Sequence, residues 1–175
     1  MKRTLTFALL LCCVSALDVY AQCGVGKPHE LRMNIECQTL ASLRNKGVTM
    51  HGYDLDIGIS VYKNFYVLGS FDLLSHHNRN DKQNTFVNSI GLAGGLTFNV
   101  IDKEQMVIPL KIKMGHTLGK SEWEYTYYDT SIGVNPRIGT SKVALVFSMG
   151  YRFTSSHSSD MCNHGFVYWS VGLKL

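Results

Sequence analysis

The feature that most narrows the possible folds is a two-residue alternation of side-chain character that recurs along most of the chain. Between Val143 and Phe153 the odd positions read Val143, Leu145, Phe147, Met149, Tyr151 and Phe153, while the even ones read Ala144, Val146, Ser148, Gly150 and Arg152. Successive side chains of a strand point to opposite faces, so this period gives each strand one oily face and one small or polar face. Seven more segments carry it: Leu31 to Thr39, Gly52 to Tyr62, Phe65 to Ser75, Phe86 to Val100, Met106 to Leu118, Glu122 to Val134 and Phe166 to Leu175. Eight strands are therefore predicted. In Glu122 to Val134 the oily face changes parity, from Trp123, Tyr125 and Tyr127 to Tyr128, Ile132 and Val134, so a bulge near Tyr127-Tyr128 is expected. Pro109 removes a ladder hydrogen bond from its strand and demands a second bulge beside it.

Connections between these segments alternate in length. Lys63-Asn64, Ile101 to Gln105 and Asn135 to Gly139 read as short turns, whereas Ala41 to Val48, His76 to Asn84, Gly119 to Ser121 and Ser156 to Gly165 read as longer polar loops. With eight antiparallel strands, the short turns and both chain ends then fall on one side and the long loops on the other, as in outer-membrane barrels.

Alternation alone fits either a soluble sandwich, oily inside, or an inverted barrel, oily outside. The second face decides between them. Gly52, Gly58, Ser60, Ser89, Gly91, Ala93, Gly95, Thr97, Ser148, Gly150, Ser170 and Gly172 are all small, where a water-facing surface carries long Lys, Glu and Gln chains. Small residues suit the interior of a narrow eight-stranded cylinder. Arg32, Glu36, Asp54, Asp56, Asp72, Lys111, Lys113, Arg152 and Lys174 share that face and form the expected ionic network of the lumen, with both signs present to neutralise one another. The aromatic residues Phe65, Phe98, Trp123, Tyr125, Tyr151, Phe153 and Trp169 are expected to form girdles at the two membrane interfaces, where rings settle at headgroup level.

The N-terminus reads as an export signal. Met1-Lys2-Arg3 is basic, Leu5 to Leu17 is apolar but shorter than the roughly 20 residues of a helical span, and Val19-Tyr20-Ala21 is a cleavage pattern. The expected organisation is a signal over 1–21, a short periplasmic segment over 22–30 and a barrel over 31–175. With 17 Lys+Arg against 13 Asp+Glu and a formal net charge of +4, neither a polybasic nucleic-acid arm nor an acidic tail is present.

Pattern, signal and terminal strand together resemble the small eight-stranded outer-membrane β-barrels of the OmpX and OmpA-transmembrane-domain kind. That resemblance implies a closed up-and-down antiparallel barrel, outer-membrane lipid as the surrounding partner and the barrel-insertion machinery as a partner in biogenesis. It departs from the family at the end, since such barrels commonly finish on an aromatic residue and this chain reads Leu173-Lys174-Leu175. Cys12 and Cys13 leave with the signal. Cys37 and Cys162 are then a candidate disulfide across the seam between first and last strands, with unpaired thiols or a bond to Cys23 as the alternatives. His76, His77, His157 and His164 have no ligand spacing and read as solvated loop residues, so no metal and no cofactor are expected.

His157 and Ser159, followed by Asn163-His164-Gly165, are similar to the His-x-Ser and Asn-Pro-Gly elements of the lipid A 3-O-deacylase barrels. This implies a membrane-embedded acyl hydrolase as one alternative. Asp160 stands where that family has Asn, and no carboxylate follows it to complete a triad. A soluble secreted sandwich or lipocalin-like binder is the other alternative. The main expectation is a non-enzymatic barrel with a plugged lumen, presenting its loops for envelope integrity or surface interaction.

Overall fold

Each alternating segment forms a strand. A computed structural model describes residues 32–79, 85–119, 123–139, 143–157 and 162–175. The strands are β1 (Met33–Ser42), β2 (Val48–Tyr62), β3 (Phe65–Asn78), β4 (Thr85–Asp102), β5 (Met106–Thr117), β6 (Tyr125–Pro136), β7 (Ala144–Ser156) and β8 (His164–Lys174). Each pairs antiparallel with its neighbours in sequence, and β1 pairs with β8 from Glu36↔Lys174 to Ser42↔Tyr168, which closes the barrel. Closure leaves no strand edge with unpaired backbone groups. The expected signal, the segment over 22–30, Cys23 and Ser159 lie outside the described residues.

The exterior is apolar along a continuous belt. Around the barrel it runs through Tyr53, Leu55, Ile57 and Val61 on β2, Leu92, Leu96 and Phe98 on β4, Leu110, Ile112 and Met114 on β5, and Val167, Trp169, Val171 and Leu173 on β8, all exposed. The intervening residues point inward, and most of these are small or charged, with Leu68, Tyr127 and Tyr168 among the larger ones. Gly115 and Gly150 show why small residues are needed there. Each faces a tyrosine on the adjoining strand, Gly115↔Tyr127 and Gly150↔Tyr168, and a Cβ at Gly150 would sit 2.6 Å from the Tyr168 ring. The ring occupies the place a Cβ would take, so both aromatic chains fit within a narrow cylinder.

Pro109 behaves as expected. It points inward opposite Asn99, and the register shifts between Asn99 and Ile101, so a bulge at Val100 lies beside the residue that cannot donate. The bulge expected at Tyr127-Tyr128 does not exist. β6 keeps one register throughout, with Tyr125, Tyr127, Asp129, Ser131, Gly133 and Asn135 inward and Tyr128, Ile132 and Val134 outward. The apparent change of parity is a change in what the lumen contains. Length alternation among the connections is also weaker than expected, because β6 and β7 are joined by residues 137–143, as many as join β5 to β6. An Arg137↔Ala144 bridge and a bond from Ile138 N to Val143 O at 3.0 Å extend that hairpin past its strands.

Candidate functional site

At the level of the apolar belt the lumen is bridged by charged side chains. Lys111 reaches from β5 across the barrel to Glu36 on β1 and to Asp56 on β2, the latter at 2.8 Å. Lys113, one inward position further, pairs with Asp54 and lies 3.1 Å from Asp56. Arg152 on β7 donates to Asp129 at 2.6 Å and to Asp72 on β3 at 3.3 Å, with its guanidinium 4.4 Å over the Tyr127 ring. All eight charged residues are buried.

Of the residues predicted for this network, Glu36, Asp54, Asp56, Asp72, Lys111, Lys113 and Arg152 meet inside the barrel. Arg32 does not: it precedes β1 and is exposed. Lys174 lies with its ammonium 5.9 Å over the Tyr66 ring. Asp129 was missed although the expected outward set Tyr128, Ile132 and Val134 already turns it inward; the supposed bulge misplaced the other half of the segment, Trp123, Tyr125 and Tyr127. The result is five carboxylates against three paired cations. Neutral donors offset the difference: Ser70 donates to Asp54 at 2.7 Å, Gln38 to Asp54 at 3.2 Å, Tyr168 to Asp129 at 2.8 Å, and the Tyr127 hydroxyl to Asp72. Buried carboxylates are tolerable when donors of either kind saturate them.

Toward the long-loop end the polarity of the wall inverts. Beyond Tyr53, Leu73, Ile90 and Tyr128 the outward positions become His51, Ser75, Asn88 and Thr126, while the lumen fills with Leu40, Val48, Met50, Leu74, Val87, Trp123, Tyr125 and Phe166. Here the barrel has the polarity of a soluble protein. Trp123 and Tyr125 are accordingly not girdle residues. Their rings are wholly buried in this cap, 4.7 Å apart between centroids, with Trp123 Nε1 donating to Ser156 Oγ at 3.0 Å and Tyr125 bonded to Ser89 at 2.7 Å. Trp123, Tyr125 and Phe166 therefore sit inside, while Phe86 stays on the outer face, where His77 stacks on it. Phe65, Phe98, Tyr151, Phe153 and Trp169 do face outward at the belt.

The histidines also depart from expectation. His76 is buried in the cap, its ring 4.6 Å from Trp123 and edge-on to it, and neither nitrogen makes a hydrogen bond of normal geometry. His164 is buried beside Phe166, and His77 stacks on Phe86 at 4.2 Å. His157 alone of the four is exposed, with Nε2 2.9 Å from Thr126 Oγ1.

Cys37 and Cys162 are both free and exposed. Cys37 pairs with Leu173, near the far end of β8, whereas Cys162 precedes the first residue of that strand. The strand between them puts the thiols roughly 30 Å apart, against about 7 Å for the widest Cα separation a disulfide tolerates. The expectation failed because closure staggers β1 against β8, so that the outer end of β1 meets Tyr168 and Cys37 falls well below it.

An all-antiparallel eight-stranded cylinder with ion pairs inside and an apolar belt outside is the architecture of the small membrane β-barrels. The chain is similar to the crystal structure of Ail, the attachment invasion locus protein of Yersinia pestis, at 13% identity over 82% of this chain and 96% of that one, with a TM-score of 0.48. It is also similar to the backbone structure of the same outer membrane protein in a phospholipid bilayer nanodisc, at 15% identity over 81% and 99% of the two chains, with a TM-score of 0.43. No protein-family model and no curated protein matches it.

Proposed function

We propose that this chain is a non-enzymatic integral barrel of the outer membrane, closed through its lumen, that holds a water-facing cap and its loops at the cell surface for envelope integrity or surface interaction. The observation that carries this reading is the paired inversion of polarity along one set of strands. At the belt, apolar groups face out and ion pairs face in. At the long-loop end the arrangement is reversed. A single aqueous surrounding does not account for both, whereas a bilayer around the belt and water around the cap does. The closed lumen is supported by Lys111, Lys113 and Arg152, which cross it to partners on other strands. Outer-membrane lipid is then the immediate partner and the insertion machinery the transient one.

Fractionation of expressing cells tests the location, with the chain expected in the outer-membrane fraction and extractable only with detergent. The extracted protein should migrate differently on a gel before and after boiling. Recovery from the aqueous periplasmic fraction would overturn the reading. Planar-bilayer recording tests the lumen, where the expected result is no discrete conductance. For the acyl-hydrolase alternative, His157 bonds to Thr126 and Ser159 lies outside the described residues. Unchanged lipid A in cells expressing the wild type and His157→Ala would remove that alternative.

A further inference from the structure

Two exposed imidazoles from separate elements converge on one oxygen atom. His116 points outward near the end of β5, and Thr126 stands directly opposite it on β6. His157 follows β7, held there by its backbone N–H to Glu124 O at 2.7 Å. His116 Nδ1 lies 3.2 Å from Thr126 Oγ1, and His157 Nε2 lies 2.9 Å from the same oxygen. The ring centroids are 5.7 Å apart with their planes at 55°. We propose that His116 and His157 form a surface binding site for a divalent transition-metal ion of the zinc, copper or nickel type.

The chemistry follows from the convergence. A single hydroxyl proton serves only one of the two nitrogens, so one ring must donate to Thr126 while the other accepts. Moving the donating ring's proton to its other nitrogen is a small change at an exposed site, and it leaves two lone pairs directed at one region. A cation bound at about 2.0–2.1 Å from each nitrogen joins them after small side-chain rotations. Glu124 is exposed and touches His157 through its backbone carbonyl. Imidazole ligands select Cu²⁺, Ni²⁺ and Zn²⁺, while Mg²⁺ and Ca²⁺ prefer oxygen. Among the described residues no group of three His, Cys, Asp or Glu side chains gathers to hold a metal, so water completes this shell and the ion exchanges readily. The pair lies just beyond the apolar belt, where those waters remain available. Sequence spacing gives no sign of it, since 41 positions separate the two histidines and only the successive pairings of β5, β6 and β7 bring them together.

The test uses the full chain folded in detergent micelles, titrated calorimetrically with Zn²⁺ and Cu²⁺ and, as a control, Mg²⁺. One equivalent of Zn²⁺ should bind, Cu²⁺ more tightly, and Mg²⁺ not at all. His116→Ala and His157→Ala should each weaken Zn²⁺ binding by at least about tenfold, the scale on which partners of a metal site act. His51→Ala, which removes an outward histidine elsewhere on the barrel, should leave it unchanged. Paramagnetic resonance of the Cu²⁺ complex should show two coordinated imidazole nitrogens, a readout that stands even if a variant fails to fold. Absence of binding in the wild type, equal weakening by His51→Ala, or a copper signal without paired nitrogens would each overturn the proposal and leave the three side chains as a hydrogen-bonded surface chain.

Discussion

The belt-level half of the barrel and its cap are built from the same eight strands with opposite rules. On the proposed reading lipid takes the belt's apolar side chains out of water, so the interior is free to be polar and is held by Lys111, Lys113 and Arg152 with five carboxylates. In the cap, on the same reading, water surrounds the wall, so burial is done by the protein itself, through Trp123, Tyr125, Phe166, Met50 and Leu74. Outside the register shifts at Ser60/Tyr62 and Asn99/Ile101 the alternation continues; the surroundings that it answers to change along the strand. A period of two therefore reports strand and face, but which face is oily reports the medium.

The sharpest way to break the comparison is to remove a charge from the belt-level lumen. Arg152→Ala strands Asp72 and Asp129 without their common cation. Breaking a buried pair by deleting one partner costs about 3–5 kcal/mol, so the variant should lose the heat-modifiable folded band or unfold at a much lower temperature in detergent. Retention of wild-type stability would mean that water already reaches this part of the lumen.

A second comparison runs along β2. Ile57 lies mid-belt and His51 beyond it, both outward. Lysine at the bilayer midplane of a barrel costs about 2–4 kcal/mol and near the interface about 0–1 kcal/mol. Ile57→Lys should accordingly lower refolding yield into liposomes far more than His51→Lys. Equal effects would place the membrane boundary elsewhere.

Smaller again is the effect of filling the space beneath a ring. In Gly115→Val the new side chain would collide with Tyr127, which lies over the glycine and donates to Asp72. Overpacking of this kind costs about 1–3 kcal/mol. Thermal unfolding should show the loss, and Tyr127→Phe should lower it by less, because it removes only the hydroxyl.

How much of this was legible in the sequence follows the same division. Every strand was visible, because each carries the period through the belt, where a single rule holds. Seven members of the lumen network were visible for the same reason. What could not be read were positions whose meaning depends on height above the membrane. Trp123 and Tyr125 were placed outside because an aromatic residue near a strand end has the same composition whether it lines a girdle or fills a cap. Asp129 was left out of the lumen charges although the outward set Tyr128, Ile132 and Val134 turns it inward. Cys37 was misplaced because stagger between β1 and β8 is a property of the closed cylinder that neither strand carries alone. The convergence of His116 and His157 was invisible for a different reason: it depends on the register of two successive pairings, β5 with β6 and β6 with β7, which spacing alone does not set.

The chain's two tryptophans give the most direct measurement of that boundary. Trp169 faces outward on β8 and is 46% exposed, whereas Trp123 is fully buried inside the cap. In Trp123→Phe the remaining emission comes from a ring in the lipid belt, and brominated acyl chains should quench it strongly. In Trp169→Phe it comes from a ring enclosed by protein above the bilayer, and the same lipids should leave it nearly unquenched. Since rings at headgroup level are quenched most by bromines near the glycerol, moving the bromine along the chain also fixes the depth of Trp169. Strong quenching of Trp123 would mean that the cap lies within lipid, and that the inversion of polarity along the strands marks something other than the edge of the membrane.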